Sequence, residues 1–199
     1  CSSDLLFLNN DVEIITESWL EEMLQLCQQK DVGMVGAKLY YPDDTIQHAG
    51  VVVGLGGVAA HVLCKLPRDA EGYMGRLRCV QEISAVTAAC MMVKTSVFKA
   101  VGGFDEELKV AFNDIDLCMK VRKYGVKIVF TPYAELYHYE SKSRGMEDTP
   151  EKQLRFSREV NCFRRKWERE LLKGDPYYNP NLTLNNTDCS LRKQEKNGD

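Results

Sequence analysis

The sequence predicts an α/β protein whose central mixed sheet is flanked by helices. Residues 5–8 form a short, continuously apolar run, which is typical of a strand buried on both faces. A second apolar run at residues 32–40 predicts another strand, and residues 114–124 repeat apolar side chains at helical spacing before Gly125. With 199 residues the chain can bury one core, so we expect one domain followed by a C-terminal extension.

The remaining elements follow from local signals. Ser18 and Glu21 form the pattern of a capping box and predict the start of a helix. Glycines among β-branched residues at 46–66 predict a hairpin with a tight turn at 55–57. Periodicity and glycine stops predict the other elements, namely strands at 83–93, 127–130 and 135–139, a short helix at 96–101, and an amphipathic helix at 150–172.

The chain divides into three parts. Residues 1–149 form the α/β part, residues 150–174 an amphipathic helix, and residues 175–199 an extended tail that we expect to be disordered from Arg192 onward. The sequence enters a strand almost at once and does not begin with Met. From this we expect a further N-terminal portion to precede it.

Composition and charge narrow the class of protein. The eight cysteines are scattered without the CxxC spacing of a zinc site, which favours free thiols in a reducing cytoplasm. The net charge of −3 gives no global attraction to nucleic acid, and no apolar run is long enough to span a bilayer. We therefore expect a cytoplasmic protein that binds no nucleic acid. The basic residues around the apolar stripe of 150–172 indicate either peripheral contact with anionic lipid or a solvated helix face.

The first polar cluster is Asn9-Asn10-Asp11, which follows the apolar run at 5–8. These side chains lie at the carboxyl end of a buried strand, where open α/β sheets bind ligands. Their oxygen atoms suit Mg²⁺ or Mn²⁺. The alternative is a turn rich in Asn and Asp that merely closes the strand, and this motif alone does not decide between the two.

The second cluster is Asn113-Asp114-Ile115-Asp116, where two carboxylates open a helix. Helical register places Asp114 above the apolar stripe, whereas Asp116 shares a charged face with Lys120 and Lys123. We therefore predict Asp114 as the candidate general base and Asp116 as a surface residue. The alternative is that both carboxylates only cap the helix and complement its dipole.

The third cluster begins at His138, which ends a predicted strand and is followed by Lys142, Arg144 and a glycine. An imidazole ligand beside two cations and a glycine hinge is typical of a loop that closes over a metal-bound diphosphate. The alternative is a structural histidine followed by a solvated loop. His48 and His61 have no comparable setting, and we predict that both are structural.

Four segments follow one another along the chain: FLNND, TAACMMVKTSVFKAVGGFDEEL, FNDIDLCMKVRKYGVKIVFTP and LYHYESKSRG. In this order and at these intervals they resemble the second half of bacterial family 2 glycosyltransferases, which have the GT-A fold. The resemblance covers residues 5–145 and extends to residues 175–180. It implies a partial GT-A fold, that of the nucleotide-diphospho-sugar transferases, without its N-terminal nucleotide-binding portion.

The resemblance assigns roles by position. Asp11 matches the metal-binding carboxylate of the DxD-type motif, and His138 matches a second metal ligand. Asp114 matches the catalytic base of the ED-type motif. The remaining matches are substrate-binding residues: Asn9 and Asn10 in the first motif, Asn113 beside the base, Thr87, Ala88 and Ala89 along the donor sugar and acceptor, and Lys142 and Arg144 near the diphosphate.

The resemblance implies a metal-assisted, inverting transfer of a sugar from a nucleotide-diphosphate sugar to a hydroxyl of a saccharide or lipid-linked saccharide. Such enzymes build cell-surface polysaccharides or glycoconjugates, and the cofactor would be Mg²⁺ or Mn²⁺. The sequence has no QxxRW motif, which favours single-sugar transfer over polymerisation. By itself the chain is expected to be poorly active, and an exposed edge strand would favour self-association.

Two other classes of protein stay open at this stage. A non-catalytic carbohydrate-binding or scaffold remnant would keep the fold without a complete donor site. A metal-dependent phosphohydrolase would use similar ligands, but it needs more carboxylates near the metal than the sequence offers.

Overall fold

A computed structural model describes residues 4–139 and 149–193. Within these residues, seven strands form one mixed sheet and two more form a separate hairpin. The sheet contains β1 (Asp4–Leu8), β2 (Val12–Ile14), β3 (Val32–Tyr40), β4 (Ile46–His48), β7 (Gln81–Glu82), β8 (Cys90–Lys94) and β9 (Lys127–His138), and the hairpin contains β5 (Val51–Val53) and β6 (Ala59–His61). The helices are α1 (Trp19–Cys27), α2 (Thr95–Ala100), α3 (Asn113–Tyr124), α4 (Pro150–Lys166) and α5 (Glu168–Lys173).

The order of strands along the sheet is β1-β8-β3-β9-β2, with β4 paired to β3 and β7 paired to β9. Strands β3 and β9 run parallel, whereas the other pairs are antiparallel. Strand β3 lies at the centre and is buried at every residue, including Lys38, whose Nζ donates to Leu77 O. The prediction that residues 5–8 are buried on both faces is wrong, because β1 lies at the end of the strand order and exposes Leu6 and Leu8. The prediction of an α/β fold with a mixed sheet flanked by helices is confirmed.

Apolar side chains cover both faces of the sheet. On one face, Trp19, Met23 and Cys27 of α1 repeat every four residues and pack on β3 and β9. On the other face, α3 and α4 complete a larger core together with the hairpin. Full burial of one such side chain stabilises the fold by about 1.5 to 3 kcal/mol.

The cysteines of the described residues are unpaired, and burial raises the pKa of the Cys27 thiol to about 12.

The strand predicted at 83–93 is a strand only in its last part, β8. Its first part leaves the main ladder because its backbone groups bond to two different neighbours. Ile83 N donates to Ile128 O of β9 at 3.0 Å, whereas Ala85 O accepts from Val51 N of the hairpin at 2.9 Å. This departure carries the following residues across the end of the sheet, towards the candidate site.

The strands predicted at 127–130 and 135–139 are one continuous strand, β9. Its register against β3 shifts between Phe130 and Glu135. Pro132 has no N–H to donate, and it lies in this irregular part of the ladder. The hydrogen-bond ladder is therefore irregular at the proline, but the strand continues.

Two helix predictions need correction. Ser18 precedes α1 as expected, but its side chain makes no capping hydrogen bond, so the predicted capping box does not form. The helix predicted at 150–172 is broken at Trp167, whose φ of −114° and ψ of 22° lie outside the helical range. At this break the Trp167 indole turns inward and donates to Asp116 of α3. The hairpin turn at 55–57 and the end of α3 at Gly125 agree with prediction.

Residues 175–193 pack against the hairpin. Asp175 Oδ2 accepts from Val53 N at 2.8 Å, and Leu184 O accepts from Gly56 N at 2.8 Å. This part of the tail therefore has tertiary contacts, while the division of the chain into three parts stays a prediction. Among the residues that the structure describes, no helix is long and apolar enough to cross a bilayer.

Candidate active site

The candidate site lies where the turn from β1 to β2 meets the end of β9. Beyond β1, Asn9 N donates to Ala89 O at 3.0 Å, and Asp11 O accepts from Tyr139 N at 2.9 Å. Val12 of β2 then pairs with His138 at the end of β9. Backbone pairing on both sides therefore fixes the polar residues 9–11 against the end of β9.

Asp11 and His138 face each other at this point. Asp11 Oδ1 lies 3.3 Å from His138 Nε2, and both side chains are about nine-tenths buried. Asn9 Nδ2 lies 3.1 Å from the same ring nitrogen. Asp11 Oδ1 is buried without a hydrogen-bond partner. The predicted metal ligands are thus brought together, with one carboxylate oxygen left unsatisfied.

Gln47 fixes the orientation of the His138 ring, and sequence reasoning missed this residue. Gln47 Nε2 donates to His138 O at 3.2 Å, which turns Gln47 Oε1 towards His138 Nδ1 at 2.7 Å. Because Oε1 can only accept, Nδ1 carries a proton, and the tautomer that results when the ring is neutral has its lone pair at Nε2. A metal-binding histidine is commonly held in this way. No motif marks Gln47 in the sequence.

This arrangement fits a divalent cation. Asp11 Oδ1 has no hydrogen-bond partner, and a cation within reach of it and of His138 Nε2 would satisfy the carboxylate and replace the Asn9 amide as the partner of the ring nitrogen. In residues 4–139 and 149–193, no group of three or more His, Cys, Asp or Glu side chains could hold a metal ion. The protein ligands would therefore be Asp11 and His138, with substrate oxygens and water completing the coordination of Mg²⁺ or Mn²⁺.

Asp114 lies at the start of α3 and is half-buried. Its Oδ2 accepts from Ala88 N at 3.1 Å, and its Oδ1 accepts from Ile115 N at 2.9 Å. Asn113 Oδ1 accepts from Asp114 N at 2.7 Å. Each Asp114 oxygen keeps a further lone pair that could accept a substrate proton.

The segment 87–89 connects the two halves of the site. Ala88 N binds Asp114, Ala89 O binds Asn9, and Thr87 Oγ1 accepts from Ala89 N at 3.3 Å. The structure therefore places the predicted base and the predicted metal ligands on either side of one short segment. Asn10 is exposed next to them. Lys142 and Arg144 lie outside the described residues.

The prediction that Asp116 is a surface residue is wrong. Asp116 is fully buried, and its Oδ1 accepts from Trp167 Nε1 at 2.8 Å. Lys120 Nζ lies 2.9 Å from Oδ2, and Lys166 Nζ lies 2.8 Å from Oδ1. The charged face of α3 is covered by the junction of α4 and α5. The helical register of α3 alone does not show that other helices cover this face.

His48 and His61 form a pair beside the site. His48 is fully buried, and its Nδ1 lies 2.9 Å from His61 Nδ1. Burial, and next the neighbouring His61, hold the pKa of His48 well below its usual range. The pair links β4 to β6.

The fold and these residues define a class of protein. Among solved structures, the chain is similar to GalNAc-T7, crystallised with UDP, GalNAc and Mn²⁺, with a TM-score of 0.58 and 13% identity over 85% of this chain and 32% of that one. At this identity the likeness shows the fold, which is the GT-A fold of nucleotide-diphospho-sugar transferases. A family model described as "Glycosyltransferase like family 2" matches residues 1–159, and the chain belongs to this family.

Curated relatives agree with this membership. The chain is 58% identical over 185 residues to the uncharacterized protein y4gI of Sinorhizobium fredii, covering 92% of this chain and 20% of that protein. It is 41% identical over 196 residues to the O-antigen biosynthesis protein RfbC of Myxococcus xanthus, covering 98% of this chain and 15% of that protein. A 62-residue stretch, 31% of this chain, is 36% identical to 20% of an N-acetylglucosaminyl-diphospho-decaprenol L-rhamnosyltransferase of Mycobacterium tuberculosis. The chain thus spans one fifth or less of these relatives.

Proposed function

We propose that this chain is the metal-binding and acceptor-side part of an enzyme that transfers a sugar from a nucleotide-diphosphate sugar to an acceptor hydroxyl. The observation that carries the proposal is the link from Asp114 through Ala88 and Ala89 to Asn9, which supports a base at Asp114 near metal ligands at Asp11 and His138. The names of the relatives favour a saccharide or lipid-linked saccharide acceptor in cell-surface polysaccharide synthesis.

The proposed reaction is a single displacement with inversion at the anomeric carbon. Asp114 takes the proton from the acceptor hydroxyl, whose oxygen forms a bond to that carbon. The bond from the carbon to the diphosphate oxygen breaks, and its electron pair leaves with the diphosphate. The Ala88 and Ile115 N–H groups hold the Asp114 carboxylate while leaving a lone pair free on each oxygen. The base is therefore oriented before the acceptor arrives.

Asp11 and His138 would hold Mg²⁺ or Mn²⁺. When bound, the cation supplies positive charge against the diphosphate leaving group. Gln47 holds the His138 ring through Nδ1, and the Asn9 amide that lies 3.1 Å from Nε2 would give way to the cation. The role of Lys142 and Arg144 beside the diphosphate stays a prediction.

A donor screen on the full-length protein that contains this chain tests the proposal. Nucleotide sugars with uracil, thymine and guanine bases are supplied with Mg²⁺ and Mn²⁺ in parallel, and products are followed by mass spectrometry. We expect one donor to give a glycosylated product that disappears in the Asp114→Asn variant. Binding of a saccharide without turnover of any donor would instead support the non-catalytic class of protein.

We also propose that α4 contacts the membrane surface near a lipid-linked acceptor. Leu154 is 53% exposed, and Arg158, one turn further along α4, is exposed beside it. Apolar side chains among cations are typical of helices that lie on anionic lipid. Sedimentation with vesicles rich in phosphatidylglycerol should show salt-sensitive binding. Equal recovery with neutral vesicles would favour a solvated helix face.

A further inference from the structure

A buried carboxylate on α4 binds the segment that leads into the candidate base. Glu159 is 4% exposed, and its Oε1 accepts from Lys109 N and Val110 N, both at 3.1 Å. Its Oε2 accepts from Ala111 N at 2.9 Å. One side chain therefore binds three consecutive backbone N–H groups immediately before α3.

The three bonds have ordinary hydrogen-bond lengths of 2.9 to 3.1 Å. A buried carboxylate is costly unless it is satisfied, so the three bonds also explain how Glu159 is tolerated at this depth. Arg155, one turn earlier on α4, lies 3.9 Å from Glu159 Oε2 and adds a weaker attraction.

The bound segment ends in a strained residue. Phe112 has a φ of 62°, in the left-handed region that costs a bulky side chain about 1 to 3 kcal/mol. Its ring packs on Phe156 and Phe163 of α4, with centroids 5.8 and 5.4 Å away. Its carbonyl accepts from Asp116 N at 2.8 Å and so starts α3. Helix α4 thus holds both the segment and the strained residue, two positions before Asp114.

We infer that Glu159 is a positioning residue that sets the location of the Asp114 carboxylate. The inference depends on the proposed role of Asp114 as the base. Without the Glu159 carboxylate, residues 109–111 lose their acceptors and the strain at Phe112 can relax. The start of α3 then shifts, and Asp114 moves away from Ala88 N, to which it is now bound at 3.1 Å.

Hydrogen exchange measured by mass spectrometry tests this without any need for turnover. In the full-length protein, Glu159→Ala should speed exchange at the amides of residues 109–111 by about tenfold or more, and also at Ala88 N–H, because its acceptor moves away. The exchange rates of Glu159→Gln should be intermediate between those of the wild type and Glu159→Ala, since the side-chain amide keeps one accepting oxygen and loses the other. Glu151→Gln, the same substitution at an exposed site on α4, is the matched control and should exchange like the wild type.

Kinetics provide the second readout. Displacement of a catalytic group by about 1 Å can cost on the order of 100-fold. We therefore expect Glu159→Ala to lower kcat by about 10- to 100-fold, with the donor KM within about threefold of wild type and smaller changes for Glu159→Gln.

Several outcomes would overturn the inference. Unchanged exchange at Ala88 in both Glu159 variants would show that Glu159 does not position the base. Faster exchange at Ala88 with an unchanged kcat would also show that Glu159 does not position the base. If kcat and donor binding were lost together, Glu159 would have a general structural role. A wild-type protein that transfers no sugar would refute the proposed function instead. The exchange at Ala88 would still decide whether Glu159 holds the Asp114 carboxylate.

Discussion

Asp11 Oδ1 and His138 Nε2 lie 3.3 Å apart in the interior of the protein, and the carboxylate oxygen has no hydrogen-bond partner. Because Gln47 holds a proton on His138 Nδ1, the neutral ring has its lone pair on Nε2, where Asn9 Nδ2 lies 3.1 Å away. A bound cation would give the Asp11 oxygen the partner that it lacks. We propose that Asp11 and His138 provide the two protein ligands of a metal.

The first prediction concerns metal affinity. With Asp11 and His138 as its protein ligands, this chain should bind Mn²⁺ weakly, and a nucleoside diphosphate should strengthen binding at least about tenfold by adding phosphate oxygens. Isothermal titration calorimetry with Mn²⁺, with and without UDP or dTDP, measures this. Asp11→Asn should abolish the increase in Mn²⁺ affinity that the nucleotide causes. Tight binding of Mn²⁺ in the absence of nucleotide would contradict the two-ligand site.

The second prediction concerns Gln47. Gln47→Leu keeps the size of the side chain but removes the acceptor for His138 Nδ1, so the ring can rotate or change its tautomer. We expect the affinity for Mn²⁺ in the presence of a nucleoside diphosphate to fall by about 10- to 100-fold. Gln25→Leu, on the exposed face of α1, is the control and should bind like the wild type. Equal affinity for Mn²⁺ in Gln47→Leu and Gln25→Leu would show that Gln47 does not support the metal site.

The third prediction concerns the base. In the full-length enzyme, Asp114→Asn should lower the transfer rate by about 100- to 10,000-fold, because the amide cannot take the acceptor proton. Donor affinity should stay nearly unchanged, since the contacts of Asp114 are to Ala88 and Ile115 of the protein. Initial rates and donor titrations check both statements. Glu106→Gln, at an exposed carboxylate in the same region of the chain, is the control. A loss that appears only in donor affinity would assign Asp114 to binding.

The fourth prediction concerns Asp116, which the sequence places on the surface and the structure places in the core. Asp116→Ala removes the acceptor of the buried Trp167 indole and the partner of Lys120 and Lys166. We expect the free energy of unfolding to fall by about 2 to 3 kcal/mol, as for the loss of hydrogen bonds to a charged group. Urea unfolding monitored by tryptophan fluorescence measures the change. A variant as stable as wild type would refute the structural role.

The fifth prediction concerns pH and stability. The folded protein holds the His48 pKa below the usual 6.5, so below about pH 6.5 the unfolded chain binds a proton that the folded one does not. The free energy of unfolding should therefore fall as the pH is lowered, with His48 contributing up to about 1.4 kcal/mol per pH unit. Urea titrations between pH 5 and about pH 7 should show a shallower fall for His48→Gln. Parallel curves would indicate that other groups cause the acid sensitivity.

Local sequence signals determined much of the fold. The mostly apolar residues of β3 predicted its bounds, because a strand buried on both faces favours apolar side chains, although this strand also buries Lys38. Gly125 marked the end of α3, since it adopts the left-handed conformation that ends a helix there. The motif residues at 9–11, 113–114 and 138 could be proposed as site residues because they are polar side chains at the ends of strands and helices that the sequence pattern predicts. The family membership follows from the same motifs.

Other features were decided only by tertiary structure, because they join elements that are distant in the chain. Glu159 and Gln47 stand in ordinary helix and strand patterns, and their roles arise from backbone and ring atoms that folding brings to them. Asp116 has the spacing of a surface residue on α3, but the break at Trp167 covers it with an indole and a lysine. The hydrophobic periodicity of a helix or strand shows which of its faces is apolar and which is polar. It does not record which other element covers a polar face, and that cover determines whether a carboxylate is solvated, structural or part of the site.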